Sequence, residues 1–369
     1  MRFGATYVLR RGVRVVAISV ALSATTFAQN TSSPQRSPST SATSAGQDVA
    51  SSASGSAPPT SSAQQQSVAV PVDHEPAPNQ QEPTKPGPGT DDQGRFVFKK
   101  QVQEVVLHAT VADETGHLVT DLDRSAFSVY QNGRPEPVTS FRREDVPVAM
   151  GIVIDNSGSM RDKREKVNEA VLNLIRASNP QDEIFIVNFS QNSYLDQDFT
   201  SDVNLLQAAL HQVSTRGSTA LYDAVVASAV HLRNNPRLDK KVLLVITDGQ
   251  DNMSRETLQE AMRQLQPSKG PIVYAIGLTD EGFTRAGREV LQNLAAATGG
   301  VAFFPQSLDE VNAITRTVAH DIRSQFTLAY KPTGTTNGYQ AIRVEAKAPG
   351  SGRLIVRTRS GYYPGESLR

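Results

Sequence analysis

Short apolar runs alternate with segments of helical period between residues 148 and 320, and this alternation restricts the fold more than any other feature of the chain. An apolar run of roughly four to eight residues predicts a buried strand, whereas apolar residues three or four positions apart predict one face of a helix. The predicted strands are 148–154, 184–189, 242–247, 272–278 and 301–304. Strands that alternate with helices form a mostly parallel sheet covered on both faces. We therefore predict a doubly wound α/β fold with a central, mostly parallel sheet.

The helices between these strands are predicted from their apolar faces and their start signals. Ser254 is placed to cap a helix that runs to about Leu265, and Ser307-x-x-Glu310 has the pattern of a capping box that opens the last helix. The apolar positions that mark the helix faces are Val167, Val171, Leu174 and Ile175; Leu205, Ala209 and Val213; Leu221, Val225, Ala229 and Leu232; and the segment 290–297.

Segments with the alternating period of half-buried strands lie on both sides of the α/β region. The earlier segment contains Asn132-Gly133, a pair typical of a tight type I′ hairpin. Three or so strands on each side are too few for two separate stable sandwiches. We therefore predict one smaller antiparallel β domain in which 96–145 pairs with 324–369, with the α/β domain, 146–323, inserted between them. The alternating positions are Val105, Leu107, Ala109, Val111, Phe127 and Val129, and later Phe326, Leu328, Tyr330, Ile342, Val344, Ala346 and 354–356.

The N-terminal part of the chain has the pattern of an exported protein. Arginines precede a short apolar run and small residues near Ala28, which predicts a cleaved signal peptide at 1–28. Residues 29–95 are rich in Ser, Thr, Pro and Gln and predict a disordered linker. No later run is long and apolar enough to span a membrane. We expect a protein that is secreted or located in the periplasm or cell envelope.

Composition excludes several classes of function. Lys plus Arg and Asp plus Glu both number 37, so no excess of positive charge favours a nucleic-acid partner. The chain has no cysteine, which excludes disulfides and thiolate metal sites. The six histidines are scattered, and none follows a strand end beside a candidate serine nucleophile. We predict that the protein is not an enzyme.

Polar side chains follow two of the predicted strands and open one loop. Asp155-x-Ser157-x-Ser159 follows 148–154, Asp248 follows 242–247, and Thr219 lies in a Gly-Ser-Thr loop that enters a helix. Since ligands bind at the carboxyl ends of the strands in open α/β sheets, the two carboxylates should reach the same edge. Each piece taken alone could instead be a helix cap or a tight turn.

Two carboxylates and three hydroxyls form a set of hard oxygen donors. Such a set suits Mg²⁺, with Mn²⁺ as an alternative, and is a poor match for Zn²⁺ or Cu²⁺. Two carboxylates leave a divalent ion with little surplus negative charge around it. The ion would therefore remain open to an acidic side chain of a partner protein.

Two further features lie close to these residues in the sequence. Asp251 and Asn252 are expected to be surface loop residues that could contribute to ligand specificity. The basic run after Ser159 predicts a solvated helix face, with attraction of an acidic partner as the alternative. Its members are Arg161, Lys163, Arg164 and Lys166.

In this combination Asp155-x-Ser157-x-Ser159, Thr219 and Asp248 resemble the metal-ion-dependent adhesion site of von Willebrand factor type A domains. The flanking segments at Gln325 to Tyr330 and Gly361 to Pro364 are similar to the secreted proteins of this type from Acidobacteria. The resemblance covers about residues 96 to 365 and implies a Mg²⁺ site that helps to bind a protein ligand.

These observations lead to two functional hypotheses. The first is a metal-dependent protein-binding module of the adhesion type, which grips an Asp or Glu of a partner through Mg²⁺. The alternative is an assembly or scaffolding subunit whose metal ion is mainly structural.

Overall fold

The structure is a computed structural model that describes residues 104–143, 145–211, 215–235, 237–278, 284–333 and 338–364. The predicted signal peptide at 1–28, the predicted linker at 29–95 and the first residues of the 96–145 segment lie outside the described residues. No helix among those that are described is long and apolar enough to cross a membrane.

The described chain begins with four strands that carry the alternating pattern. Asn132 and Gly133 both have positive φ, as a type I′ hairpin between the second and third strands requires. The third strand, which contains Pro135, lies at the edge of its sheet, where the missing N–H is tolerated. The four strands are β1 (Val105–Ala112), β2 (Phe127–Gln131), β3 (Arg134–Glu136) and β4 (Val138–Arg142).

A six-stranded sheet follows, and five of its strands lie at the predicted apolar runs. Its strands are β5 (Val148–Asp155), β6 (Glu183–Phe189), β7 (Ser193–Thr200), β8 (Lys240–Thr247), β9 (Ile272–Gly277) and β10 (Ala302–Phe303). Their order is β10-β9-β8-β5-β6-β7, and all pairs are parallel except β6 with β7. The doubly wound, mostly parallel fold is therefore confirmed.

In the described ranges, six helices cover the two faces of this sheet. They are α1 (Arg164–Ala177), α2 (Val203–His211), α3 (Leu221–Asn234), α4 (Leu258–Leu265), α5 (Arg285–Thr298) and α6 (Val311–Arg323). One apolar core joins the sheet to α1, α2 and α6, and a second joins its other face to α3, α4 and α5. β5 contributes side chains to both cores, because successive side chains of a strand point to opposite faces of the sheet.

The last part of the chain returns to the strands of the first part. It forms β11 (Phe326–Tyr330), β12 (Gln340–Ala346), β13 (Ile355–Arg357) and β14 (Gly361–Tyr362). Two four-stranded antiparallel sheets result, in the orders β13-β1-β11-β4 and β14-β12-β2-β3, with an apolar core that draws on both. Each sheet contains strands from both flanks, so the predicted antiparallel β unit is present.

Some local predictions were wrong. β7 was not predicted, because its sequence mixes polar and apolar residues without a continuous apolar run and its strand lies at the sheet edge. In α2 the buried face contains Leu206, Ala209 and Leu210, whereas Leu205 is exposed. Val213, also assigned to this face, lies outside the described residues.

Two predicted helix caps were also wrong. Thr257 caps α4 through a capping box with Glu260, and Ser254 instead donates a hydrogen bond to Asp251. Ser307 accepts no capping hydrogen bond, and the Glu310 carboxylate receives the backbone N–H of Gln306. Neighbouring hydroxyls and carboxylates compete for the same backbone N–H groups, and spacing alone does not decide which one forms the bond.

Candidate functional site

The carboxyl end of β5 places Asp155 at the centre of the candidate site. All eight residues of β5 are buried, and Asp155 itself is 0% exposed. The Asp155 Oδ1 atom accepts the backbone N–H of Ser157 at 2.8 Å, and Oδ2 accepts the hydroxyl of Thr247 at 2.5 Å. These bonds fix the carboxylate and the start of the following loop in one position.

Asp248 enters the same site from β8, the parallel neighbour of β5. Because the two strands end side by side, the residue after β8 reaches the loop after β5. The Asp248 Oδ1 atom accepts the hydroxyl of Ser159 at 2.8 Å. Its Oδ2 atom lies 2.5 Å from the ammonium of Lys163. The two predicted carboxylates are thus brought to one edge.

The serine hydroxyls connect the loop after β5 to Asp248. Ser157 Oγ and Ser159 Oγ are 3.1 Å apart, and Ser159 Oγ is 2.8 Å from Asp248 Oδ1. Adjacent oxygens around an octahedral Mg²⁺ are about 2.9 Å apart, given metal–oxygen distances of about 2.0 to 2.1 Å. These two distances are compatible with neighbouring ligands of such an ion, and they are also ordinary hydrogen-bond distances.

Thr219 is held beside these residues by the neighbouring loops. Its N–H donates to Asn252 Oδ1 at 2.9 Å, and its carbonyl accepts the N–H of Asn252 at 3.0 Å. A Cβ atom placed on Gly249 would lie 3.3 Å from the Thr219 hydroxyl, so this hydroxyl faces the residue next to Asp248. In the described part of the chain no hydrogen bond joins it to the other four predicted residues.

Burial is the main electrostatic feature of the site. It raises the pKa of Asp155 above its ordinary value, although the hydrogen bonds from Thr247 and Ser157 oppose the shift. The nearby Asp248 carboxylate also raises this pKa, because two close negative charges repel each other. A cation between the two carboxylates would relieve both effects, so the site favours a positive ligand.

The basic run was wrongly predicted to be one solvated face. Lys163 and Arg164 are buried, and only Arg161 and Lys166 are exposed. The Arg164 guanidinium donates to Asn188 Oδ1 on β6, while Lys166 forms an exposed ion pair with Asp309. The four side chains therefore have different environments: Lys163 contacts the Asp248 carboxylate, and Arg164 also donates to the backbone carbonyl of Asp155 at 3.5 Å.

The structure adds residues that the motif did not identify. Thr247 orients Asp155, Lys163 contacts Asp248, and Asn252 holds the Thr219 loop. Asp251 binds the Ser254 hydroxyl and the N–H of Tyr222, so it has a role within its loop. The position of Thr247 as the last residue of a buried strand was the one sequence signal that could have identified any of these contacts.

The donor set agrees with a magnesium-type site and differs from a site rich in carboxylates or imidazoles. In the described ranges no group of three or more His, Asp or Glu side chains could hold a metal ion. The candidate set instead combines two carboxylates with hydroxyls, which are hard oxygen ligands. The residues that could hold the ion are Asp155, Ser157, Ser159, Thr219 and Asp248.

Comparison with solved structures found several similar folds. A von Willebrand factor type A protein from Catenulispora acidiphila is 14% identical, with 73% of this chain and 76% of that chain covered and a TM-score of 0.43. Proximal thread matrix protein 1 from the mussel byssus is 18% identical, with 55% and 51% covered and a TM-score of 0.44. BatB from Bacteroides thetaiotaomicron is 19% identical, with 47% and 98% covered and a TM-score of 0.38. The chain thus spans about half of the mussel protein.

A family model matches part of the chain. No curated protein matches the chain significantly. Residues 150–250 match the model of the von Willebrand factor type A domain, and this range contains all five candidate metal ligands. Over residues 150–250 the chain is therefore similar to the von Willebrand factor type A domain.

Proposed function

We propose that the protein is a secreted or envelope-associated binding module that grips an acidic residue of a partner protein through a divalent metal ion. Asp155, Ser157, Ser159, Thr219 and Asp248 would hold the ion, which we propose to be Mg²⁺, with Mn²⁺ as the alternative. The observation that supports this most strongly is that the hydroxyls of Ser157 and Ser159, from the loop after β5, and the carboxylate of Asp248, from the end of β8, form one hydrogen-bonded set of oxygens. When bound, the ion would supply a Lewis-acidic position for a carboxylate.

The charge around the site supports an acidic partner. Arg161, Arg216 and Arg255 are exposed. Their three loops are joined by hydrogen bonds from Gly158 to Gly217 and between Thr219 and Asn252. The backbone N–H of Arg216 donates to the carbonyl of Asn156, which places this arginine next to the Asp155 loop. Among the described ion pairs, none involves these three arginines. They would add long-range attraction for a partner that carries several carboxylates.

A mainly structural ion, as in a scaffolding subunit, is the weaker candidate. Direct bonds between protein atoms already join the loops: Gly158 N–H donates to the carbonyl of Gly217 at 3.2 Å, and Asn252 binds Thr219. The loops therefore do not depend on a metal ion for their connection. We propose a role in binding rather than in catalysis.

The domain boundaries are part of the same proposal. We propose an α/β binding domain at 146–323, carried by a β domain that consists of 96–145 and 324–369. The pairing of β1 with β11 and of β12 with β2 supports this division. The predicted signal peptide and linker would export the binding domain and hold it away from its point of attachment.

The experiment is a capture of partners from envelope extract and culture fluid with immobilised full-length protein. Wild-type protein, Asp155→Ala and Asp162→Ala are each tested with Mg²⁺ and with EDTA, and the retained proteins are quantified by mass spectrometry. Asp162 is a matched control, since it is an exposed carboxylate in the same loop. We expect proteins that are retained by the wild type and by Asp162→Ala in Mg²⁺, and lost with Asp155→Ala or EDTA. Equal retention under all conditions would refute the proposal.

A further inference from the structure

Lys163 places a positive charge inside the candidate metal site. It is 9% exposed and lies at the N-terminal boundary of α1, four residues after Ser159. Its ammonium is 2.5 Å from Asp248 Oδ2, and the Asp248 side chain is 0% exposed. A buried ammonium is stable only with a close counter-charge, so Asp248 is a necessary partner of Lys163.

The two oxygens of Asp248 have different partners. Oδ1 accepts the hydroxyl of Ser159, which belongs to the proposed ligand set, whereas Oδ2 contacts the Lys163 ammonium. A divalent ion near Oδ1 would therefore lie within a few ångströms of a fixed positive charge. At such a distance two like charges in a partly buried environment repel each other strongly.

The other cations of the basic run do not have this position. Arg164 donates to Asn188 and to the backbone carbonyl of Asp155, with no described bond to a carboxylate of the site, and Lys166 pairs with Asp309 at the surface. Screening by solvent makes the exposed charge of Lys166 weak at the site. Lys163 and Lys166 therefore carry the same charge and lie three positions apart, but only Lys163 contacts Asp248.

We propose that Lys163 is an internal counter-charge that competes with the divalent ion for Asp248 and thereby sets the metal affinity of the site. This inference rests on the proposed function, because it assumes that Asp248 helps to hold the ion. Lys163 is a positioning residue and not a metal ligand. It neutralises Asp248 when metal is scarce, so that the loops remain assembled, and it limits the affinity when metal is present.

The test is isothermal titration of the full chain with MgCl₂ at low ionic strength. The variants are Lys163→Met, which keeps the apolar stem, Lys163→Gln, which keeps a hydrogen-bond donor, and Lys166→Met as the matched control. Without the ammonium, the ion no longer competes for Asp248, and we expect Mg²⁺ to bind at least about tenfold more tightly to both Lys163 variants. The Kd of Lys166→Met should remain within about twofold of the wild type.

A second readout uses the melting temperature. In EDTA the Lys163 variants should melt below the wild type, because Asp248 has lost its counter-charge, and saturating Mg²⁺ should raise their melting temperature more than that of the wild type. A purely structural role for Lys163 would weaken Mg²⁺ binding, and could not strengthen it.

The possible outcomes separate this inference from the proposed function. If the wild type binds Mg²⁺ and the Lys163 variants bind it equally or more weakly, the inference is overturned and the proposed site remains. If Mg²⁺ binds only to the Lys163 variants, the competition is supported and the metal role of the wild-type site is not. If neither the wild type nor the variants bind Mg²⁺, both proposals fail.

Discussion

Two places in this protein hold buried carboxylates, and the carboxylate oxygens are bonded differently in each. One contains Asp155 and Asp248 at the carboxyl ends of β5 and β8. The other contains Asp321 of α6, where the α/β domain meets β13 of the β domain. Asp321 Oδ2 accepts the hydroxyl of Tyr274 at 2.7 Å, and Oδ1 accepts the Arg357 guanidinium at 2.8 Å.

An aspartate can thus stabilise a junction in one place and form part of a binding site in another. At Asp321 a guanidinium and a tyrosine hydroxyl, itself contacted by the amide of Gln325, saturate the carboxylate from two domains. At the other place, the donors include serine and threonine hydroxyls, whose oxygens retain lone pairs for a further ligand. The first arrangement is suited to holding the domains together, and the second is suited to accepting a cation.

The largest expected effect on stability is at the junction. Asp321→Ala should lower the free energy of unfolding by about 2 to 4 kcal/mol, because it leaves Arg357 and the Tyr274 hydroxyl without their buried partner. Urea denaturation measures this loss. Mg²⁺ affinity should not change, since Asp321 lies outside the candidate site.

Asp309→Ala is the control for this substitution. Asp309 lies just before α6, and its side chain is 81% exposed in its pair with Lys166. Its replacement should change the free energy of unfolding by less than about 0.5 kcal/mol. A loss at Asp321→Ala as small as that would contradict the interpretation of Asp321 as a brace.

A smaller effect is expected from His108, which lies on β1 near the same junction. Burial, together with repulsion from Lys240 and Arg359, lowers the pKa of His108 from 6.5 to about 3. Below pH 6.5 His108 becomes protonated in the unfolded chain but stays neutral in the folded protein. The free energy of unfolding therefore decreases as the pH falls from about 6.5 towards 3.

The corresponding experiment compares wild type with His108→Gln between about pH 7 and pH 4.5. The wild type should lose about 1 to 2 kcal/mol more of its free energy of unfolding than the variant. This value is smaller than the full pKa difference implies, because the His108 side chain is partly exposed and solvent screens its charge. Parallel pH profiles for the two proteins would show that His108 does not couple the junction to pH.

The fold was largely predictable because most core strands are long and apolar. β5 and β8 are buried on both faces, so their sequences are continuous apolar runs that need no partner to be recognised. β7 and β14 were not predicted, since the first lacks a continuous apolar run and the second has only two residues. Such strands are defined by their hydrogen-bonding partners, which lie far away in the sequence.

The sequence was sufficient to predict which loops form the candidate site, but not the directions of all the side chains in it. The order of the strand ends was sufficient to bring Asp155 and Asp248 to one edge, because parallel neighbours end together. The direction of Lys163 was not predictable, since the basic run has the composition of a solvated face. Whether a lysine turns outward or inward depends on a carboxylate 85 residues later in the chain.

The most direct test of this account is a calorimetric titration of the full-length wild-type protein with MgCl₂, alongside Asp155→Asn and Asp321→Asn. We predict one saturable site in the wild type and in Asp321→Asn. In Asp155→Asn we predict a loss of affinity of at least about a hundredfold, because Asp155 belongs to the proposed ligand set and Asp321 does not. Equal binding to all three proteins, or no binding to the wild type, would contradict the account.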